Sequence, residues 1–478
     1  MQSNDTASTF IDKNAAGFTR LSDDIWENHQ LGLEETYAVK RQTEALSQAG
    51  FSIRSDLGGM STAFSAAWGH GRPVIGVLGE YDALPGLSQT ASPQKDPVEK
   101  AAPGHGCGHN HLGVGSMAAA MAAKAAMEKE GTRGTVIYFG CPAEETLVGK
   151  VFMARAGVFD DLDAALSWHP MSINTIWESA STAMNSFKLN FYGKAAHAGS
   201  SPWGGRSALD GVVLTDVGVN YLREHIIPDA RIHCVITKGG EAPNVVPAEA
   251  QVWYFVRAPR RDQVEEIYDR LLDVAKGAAL MSGTQVETEF ITGCYDFLSN
   301  GVLARVLLEK MQQVGAPQFS EAEKGFAAKL LESVDPSFVE RSIQKTGLSR
   351  EELNFPLCDK VLEGVGGFRK GDLEGGSTDV GDVSYIIPTA QLCANCAPIG
   401  VPGHSWQFTA AQGSSIGKKG MLFAAKSLAL TITELMRSPD ILRAVSYTTS
   451  PSPRDKSLYL VCRLRLAKGG GGGGGGGG

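Results

Sequence analysis

The apolar positions follow one spacing rule over most of the chain and a different one in the middle. Residues 12–49 mix charged and apolar side chains at helical spacing, and the run stops at Gly50, as a helical region ending on glycine does. Pro73 then opens the short apolar run VIGVLGE. A polar loop rich in Pro, Ser and Lys covers residues 85–104. A Gly/His cluster, an alanine-heavy stretch (Gly113 to Met127), the run GTVIYFG, a helical stretch through Lys150 and Ala154, and the run DAALSWHP follow. Strands separated by helices predict an α/β domain with a mainly parallel sheet and helices on both faces.

Near residue 183 the period drops to two. FKLNFYG alternates as a half-exposed strand does. A helix is expected from Arg206 to Arg223, then the strands RIHCVITK and AEAQVWYFVRA, a helix from Asp262 to Leu280, and the strand TQVETEFIT. The order βαββαβ predicts a small antiparallel sheet covered by two helices. Helical spacing resumes after residue 297, and a last long helix is expected from Lys418 to Met436. The simplest organisation is a discontinuous domain, 1–182 plus 298–440, with an α+β domain, 183–297, inserted into it. Residues 320–372 read as a polar helical insertion, and 441–478 as an irregular tail ending in ten glycines, which is linker rather than structure.

The 478 residues are 43% apolar and 20% charged, an ordinary globular balance. A net charge of -8 argues against a nucleic-acid or anionic-membrane partner. No basic segment leads into an apolar one at the start, and no run is long and apolar enough to span a bilayer. Eight scattered cysteines then suggest free thiols in the cytoplasm. Cys393 and Cys396 form a lone CxxC, which reads as a chance pair in a core strand.

Ligands of an open parallel sheet bind beyond the carboxyl ends of its strands. VIGVLG leads to Glu80 and Asp82, and the following loop delivers His105, Cys107, His109 and His111 to a helix start. GTVIYFG leads to Glu144 and Glu145, DAALSW to His169, and the last strand to His404. Thiolate, imidazole and carboxylate are metal ligands. Glu144 and Glu145 are adjacent and diverge, so one can bind metal while the other faces a water. Five strong candidates with spare carboxylates fit two ions about 3.5–4 Å apart better than one. His105 and His111 flank the cluster and read as packing residues. No Gly-x-Ser-x-Gly elbow is present, which counts against a serine hydrolase.

The motifs HGCGHN, PAEE, SWHP, GKAAHAGSSP, APNVVP and PGHSW, in this order from about Phe10 to Ile432, resemble the M20 metallopeptidases, and within them the subfamily D amidohydrolases. GEYDALPGLSQ, GRSALD, GGEAPNVVPAEA and STDVGDVS point to the branch acting on p-aminobenzoyl-glutamate. The resemblance implies a catalytic domain with an inserted lid that also dimerises. It implies two divalent ions per subunit, zinc or manganese, on Cys107, His109, Glu145, His169 and His404. Glu144 would be the general base, and His197, on the lid, would reach the partner's site. Asn244 and Arg257 would grip the substrate carboxylate, and Asp82 would orient a ligand. Homodimer and heterodimer with a homologous subunit both remain open, as do other N-acyl amino acids or short peptides as substrates and a mainly structural subunit. At Glu80 there is a departure: branches with a His-x-Asp motif have a ligand histidine at that position, whereas subfamily D often has an acidic residue there, which would place Glu80 outside the ligand set.

Overall fold

In the computed structural model, which describes residues 5–448, the apolar runs become the inner strands of one sheet and the alternating runs form another. The strands among the described residues are, in chain order, β1 (Ser52–Arg54), β2 (Phe64–His70), β3 (Val74–Glu80), β4 (Gly134–Cys141), β5 (Ala164–Met171), β6 (Thr175–Trp177), β7 (Ala183–Tyr192), β8 (Arg231–Lys238), β9 (Glu249–Ala258), β10 (Gln285–Cys294) and β11 (Thr389–Asn395). Two units share them. Among the described residues, one gathers 5–180, 298–374 and 382–448; the other holds 181–297 with 375–381.

The first unit carries a seven-stranded sheet of order β1-β2-β4-β3-β5-β11-β6. Its centre, β4-β3-β5-β11, is parallel. The outer β1, β2 and β6 join through antiparallel pairings and were not foreseen. β1 and β6 have three residues each, and FSAAWGH in β2 is too rich in small side chains to show a period. Inner strands buried on both faces read as continuous apolar runs, so the centre was visible and the rims were not.

The helix His109–Glu130 lies on one face with most of its residues buried. Alanine and glycine let it come close: a Cβ on Gly113 would sit 2.6 Å from the Glu80 carbonyl oxygen. On the other face Phe139 meets Phe159, and the helix Gly149–Arg155 covers the end of β3. The helical region foreseen over 12–49 is two helices, Thr6–Glu27 and Thr36–Gln48. The break has a backbone cause: Ala83 donates its N–H to the Gln30 carbonyl at 2.9 Å, and Leu31 bridges Ala83. The insertion over 320–372 carries the helices Glu321–Leu331 and Pro336–Thr346. Part of the stretch expected to be irregular is a helix, Pro439–Thr448, whose Val445 is buried and whose Ile441 and Leu442 pack on the core. The rest of that tail, with its glycine run, lies outside the described residues.

The second unit is a four-stranded antiparallel sheet, β10-β7-β9-β8. With the helices Ala208–Leu222 and Arg261–Ser282 its order is the βαββαβ foreseen. In β9 Ala250, Val252, Tyr254, Val256 and Ala258 are buried beneath those helices, while Gln251, Trp253, Phe255 and Arg257 are half-buried on the other face. The edge strand β8 leaves Val235 53% and Ile236 48% exposed.

Candidate metal centre

The carboxyl ends of β3, β4, β5 and β11 meet at one rim of the first unit. β3 ends on Glu80, and Asp82, two residues on, is also buried. Asp82 does two things. Its Oδ2 accepts the backbone N–H of Glu145 at 2.9 Å, and its Oδ1 lies 2.8 Å from His109 Nδ1. A carboxylate at Nδ1 fixes the proton there and leaves the Nε2 lone pair free to bind. His109 opens its helix because Gly108 before it adopts φ +81°, where a Cβ would be strained.

Glu144 and Glu145 follow β4 in a tight turn that starts at Ala143, itself at φ +53°. The Ala143 N–H is held by Glu35 Oε1 at 2.8 Å. His169, in β5, places Nδ1 2.9 Å from the Pro170 carbonyl and Nε2 3.4 Å from Cys107 Sγ. His404 donates its backbone N–H to Gly106 at 2.9 Å and sets Nε2 3.3 Å from Glu145 Oε2.

The residues proposed as ligands therefore fall in overlapping groups whose donor atoms lie within 4.8 Å of one another: Cys107 with His109 and His169, Cys107 with Glu145 and His404, and Glu80 with His109 and Glu144. Cys107 belongs to two of these groups.

The electrostatics fit cations. Burial, then the charge of Glu145, pushes the Cys107 thiol up. Burial pushes Glu145 up to about 7 and, helped by the charge of His109, pushes His169 down to about 4. Burial opposes the charged form of His109 too, but Cys107 and Asp82 outweigh it and hold the imidazole well above its usual range. A negative cage that takes up protons is one that divalent cations would neutralise. The buried atoms His109 Nε2, Glu80 Oε2 and Glu145 Oε1 have no hydrogen-bond partner, and both oxygens lie within 4 Å of that nitrogen, as donors around a shared ion do. Donor separations of 3.3–3.4 Å match neighbours on a tetrahedral ion at roughly 2.0–2.3 Å bond lengths. The residue set fits divalent metal.

His105 and His111 are packing residues. His111 is held by Ser22 Oγ at 2.7 Å and the Gln412 carbonyl at 2.8 Å, His105 by the Ile25 carbonyl at 3.3 Å, and burial pushes both down to about 3. Cys393 and Cys396 are buried free thiols, as expected.

On the second unit, His197 Nδ1 accepts the backbone N–H groups of Gly199 and Ser200 at 3.1 and 3.2 Å. Its proton therefore sits on Nε2, in an exposed ring. Turn capping and proton donation are compatible uses of one imidazole. Asn244 lies beside it, since Ala198 donates to the Asn244 carbonyl at 3.0 Å. Arg257 places Nη1 3.3 Å from Ser377 Oγ, while its buried Nε has no partner.

Sequence reasoning missed Glu35 and Lys150. Glu35 sat in a helical, charged stretch, and Lys150 reads as a solvent-facing lysine; nothing local marks either as buried.

Residues 180–280 match the M20 peptidase dimerisation domain. The chain is 40% identical to one of the subunits of the Escherichia coli p-aminobenzoyl-glutamate hydrolase, over 91% of this chain and 92% of that protein. It is 28% identical to the human Xaa-Arg dipeptidase over 91% of this chain and 89% of that one. Its fold is similar to that of a dinuclear metal-binding M20 peptidase of Bacillus subtilis (TM-score 0.57, 16% identity, 89% of this chain and 99% of the other).

Proposed function

The chain belongs to the M20 family of metallopeptidases and amidohydrolases, and on that premise we propose that it cleaves the amide bond of an N-acyl amino acid, with p-aminobenzoyl-glutamate first among the substrates. The observation that carries this reading is the convergence of Cys107, His109, Glu145, His169 and His404 on one cage with unpartnered buried atoms. These five residues would hold two divalent ions; thiolate and imidazole favour zinc, and the carboxylates tolerate manganese. When bound, such ions supply Lewis-acid polarisation and acidify water.

The rest of the work falls to side chains. Glu144 takes the proton of the attacking water and returns it to the leaving amine. His197, protonated on Nε2, donates to the oxygen on which negative charge develops. Arg257 and Asn244 hold the carboxylate of the leaving amino acid, and Arg257 can do so through two N–H groups. Asp82 keeps His109 in the tautomer that binds.

A partner subunit fits the same reading. The Escherichia coli relative is named as one subunit of its hydrolase, and the matched family model is a dimerisation domain. On the second unit the stripe Val213, Val217 and Tyr221 and the edge strand β8 are exposed. We place the dimer there, either of two copies or with a homologous chain. No described helix is long and apolar enough to cross a membrane, and free thiols suit a reducing cytoplasm.

The test is release of p-aminobenzoate by the purified chain alone with added Mn²⁺ or Zn²⁺, beside a panel of other acyl amino acids and Xaa-Arg dipeptides. Turnover of the acyl-glutamate above the rest supports the assignment. Faster cleavage of the dipeptides reassigns the substrate, and binding without any turnover makes the chain a supporting subunit.

A further inference from the structure

Lys150 and Glu80 form an ion pair, Nζ to Oε1 at 2.7 Å, with side chains 0% and 2% exposed. Burying two charges costs more than their attraction returns unless further groups compensate, so a pair this deep needs a reason. The second Glu80 oxygen supplies one. Oε2 is buried, has no hydrogen-bond partner and lies 3.3 Å from His109 Nε2, which also has none. With one His109 proton held on Nδ1 by Asp82, that contact sets Nε2 against a carboxylate oxygen. Whatever lies between these two atoms must be positive: a second proton on the raised imidazole when no metal is bound, or a divalent cation in its place. Ligands of one ion at about 2.0–2.1 Å in tetrahedral arrangement are about 3.3–3.4 Å apart.

We propose that Glu80 is a further ligand of the cation held by His109, binding through Oε2 alone, and that Lys150 is the residue that positions it. Lys150 occupies Oε1, so the carboxylate cannot bind through both oxygens, and its charge offsets the negative charge that Glu80 adds to the cage. The assignment also separates two neighbouring acids. Glu80 and Glu144 lie in one group with His109. Glu80 is committed to the cation and Lys150, and Glu144 is left for the proton. The inference rests on the metal-hydrolase reading above and goes beyond its five ligands.

Chelator-stripped protein titrated calorimetrically with Mn²⁺ and with Zn²⁺, with the bound metal counted by elemental analysis, tests it. Wild type should take two ions. Glu80→Gln keeps the shape and an oxygen for Lys150, and should weaken one of the two ions by at least about 10-fold while leaving the other unchanged. Lys150→Met should weaken the same ion and alter the visible spectrum of the cobalt-loaded protein, which a purely packing role would not do. The double variant Glu80→Gln/Lys150→Met removes the buried charge as a pair, guards against misfolding of Lys150→Met, and should match Glu80→Gln. Two ions bound by Glu80→Gln at wild-type affinity would overturn the proposal and leave the hydrolase reading standing. A wild-type chain that binds no ions would overturn both.

Discussion

At the rim of the seven-stranded sheet the polar atoms are buried and short of partners; on the four-stranded sheet's unit His197 and Asn244 are exposed and held by backbone turns, while Arg257 is half-buried in β9. His109 and Asp82 are sealed from solvent, and His109, Glu80 and Glu145 each leave an atom unpaired. His197 and Asn244 sit in solvent on adjoining backbone. The difference is one of preorganisation. Strand ends fix the cage, so it can accept cations with little rearrangement. The turn residues are aimed by local hydrogen bonds and depend on what is brought to them.

The contrast breaks most sharply on one pair of substitutions. Glu144→Ala should lower kcat by about 10²–10⁴-fold with the metal count unchanged, because Glu145 stands with Cys107 and His404, and Glu80 remains as the carboxylate beside His109. His197→Ala should cost about 10²–10³-fold, as loss of one oxyanion donor does, again with no metal lost. If the histidine serves the partner's site, mixing the two inactive variants restores part of the activity. Activity that stays at the level of the separate variants after subunit exchange assigns His197 to its own chain.

The cage side of the contrast can be sharpened through its scaffold. Burial, then the charge of Asp82, raises the carboxyl of Glu35 to about 7, yet the same group holds the Ala143 N–H that starts the Glu144 turn. The folded state therefore keeps a proton that the unfolded chain gives up near 4.5. Stability is undiminished below about pH 4.5 and falls as pH rises through 7. Glu35→Gln keeps the acceptor and cannot ionise. In metal-free protein it should be more stable than wild type at pH 8, by at most about 3 kcal/mol, with the gap closing towards pH 5. Urea midpoints at the two pH values measure this, and a gap independent of pH would show that Glu35 is not the titrating group.

How much of this could be read from residue types follows the same division. Cys107, His109, Glu145, His169 and His404 stood out because each follows an apolar strand, and such strands announce themselves as unbroken hydrophobic runs. The inserted βαββαβ unit was visible for the opposite reason, a period of two with one wet face. The residues that tune the cage carry no such mark. Glu35 and Lys150 become buried only through distant packing, against Ala143 and Glu80 respectively. Glu80 was noticed as a departure from the family, but its unpaired oxygen exists only once His109 is folded against it. The three-residue rim strands β1 and β6 escaped because they are too short to display a period, whereas the helix Pro439–Thr448 does carry one, in Ile441, Leu442 and Val445 on a single face, and was passed over.

Arg257 offers the smallest effect and the cleanest view of the exposed side. Its guanidinium uses one nitrogen on Ser377, leaves Nε buried without a partner, and lies 5.8 Å from the Phe255 ring. A lysine there keeps the charge and loses the planar fork that matches a carboxylate. Arg257→Lys should raise KM for an acyl-glutamate about 10-fold with kcat largely retained, a difference of about 1.4 kcal/mol and within reach of one charge-assisted hydrogen bond. The same substitution should leave KM for the substrate's α-carboxamide analogue unchanged, since that molecule presents no carboxylate to grip. An equal rise for both would mean that Arg257 shapes the second unit rather than reading the substrate, and the division of labour between a buried cage and an exposed reading surface would lose its second half.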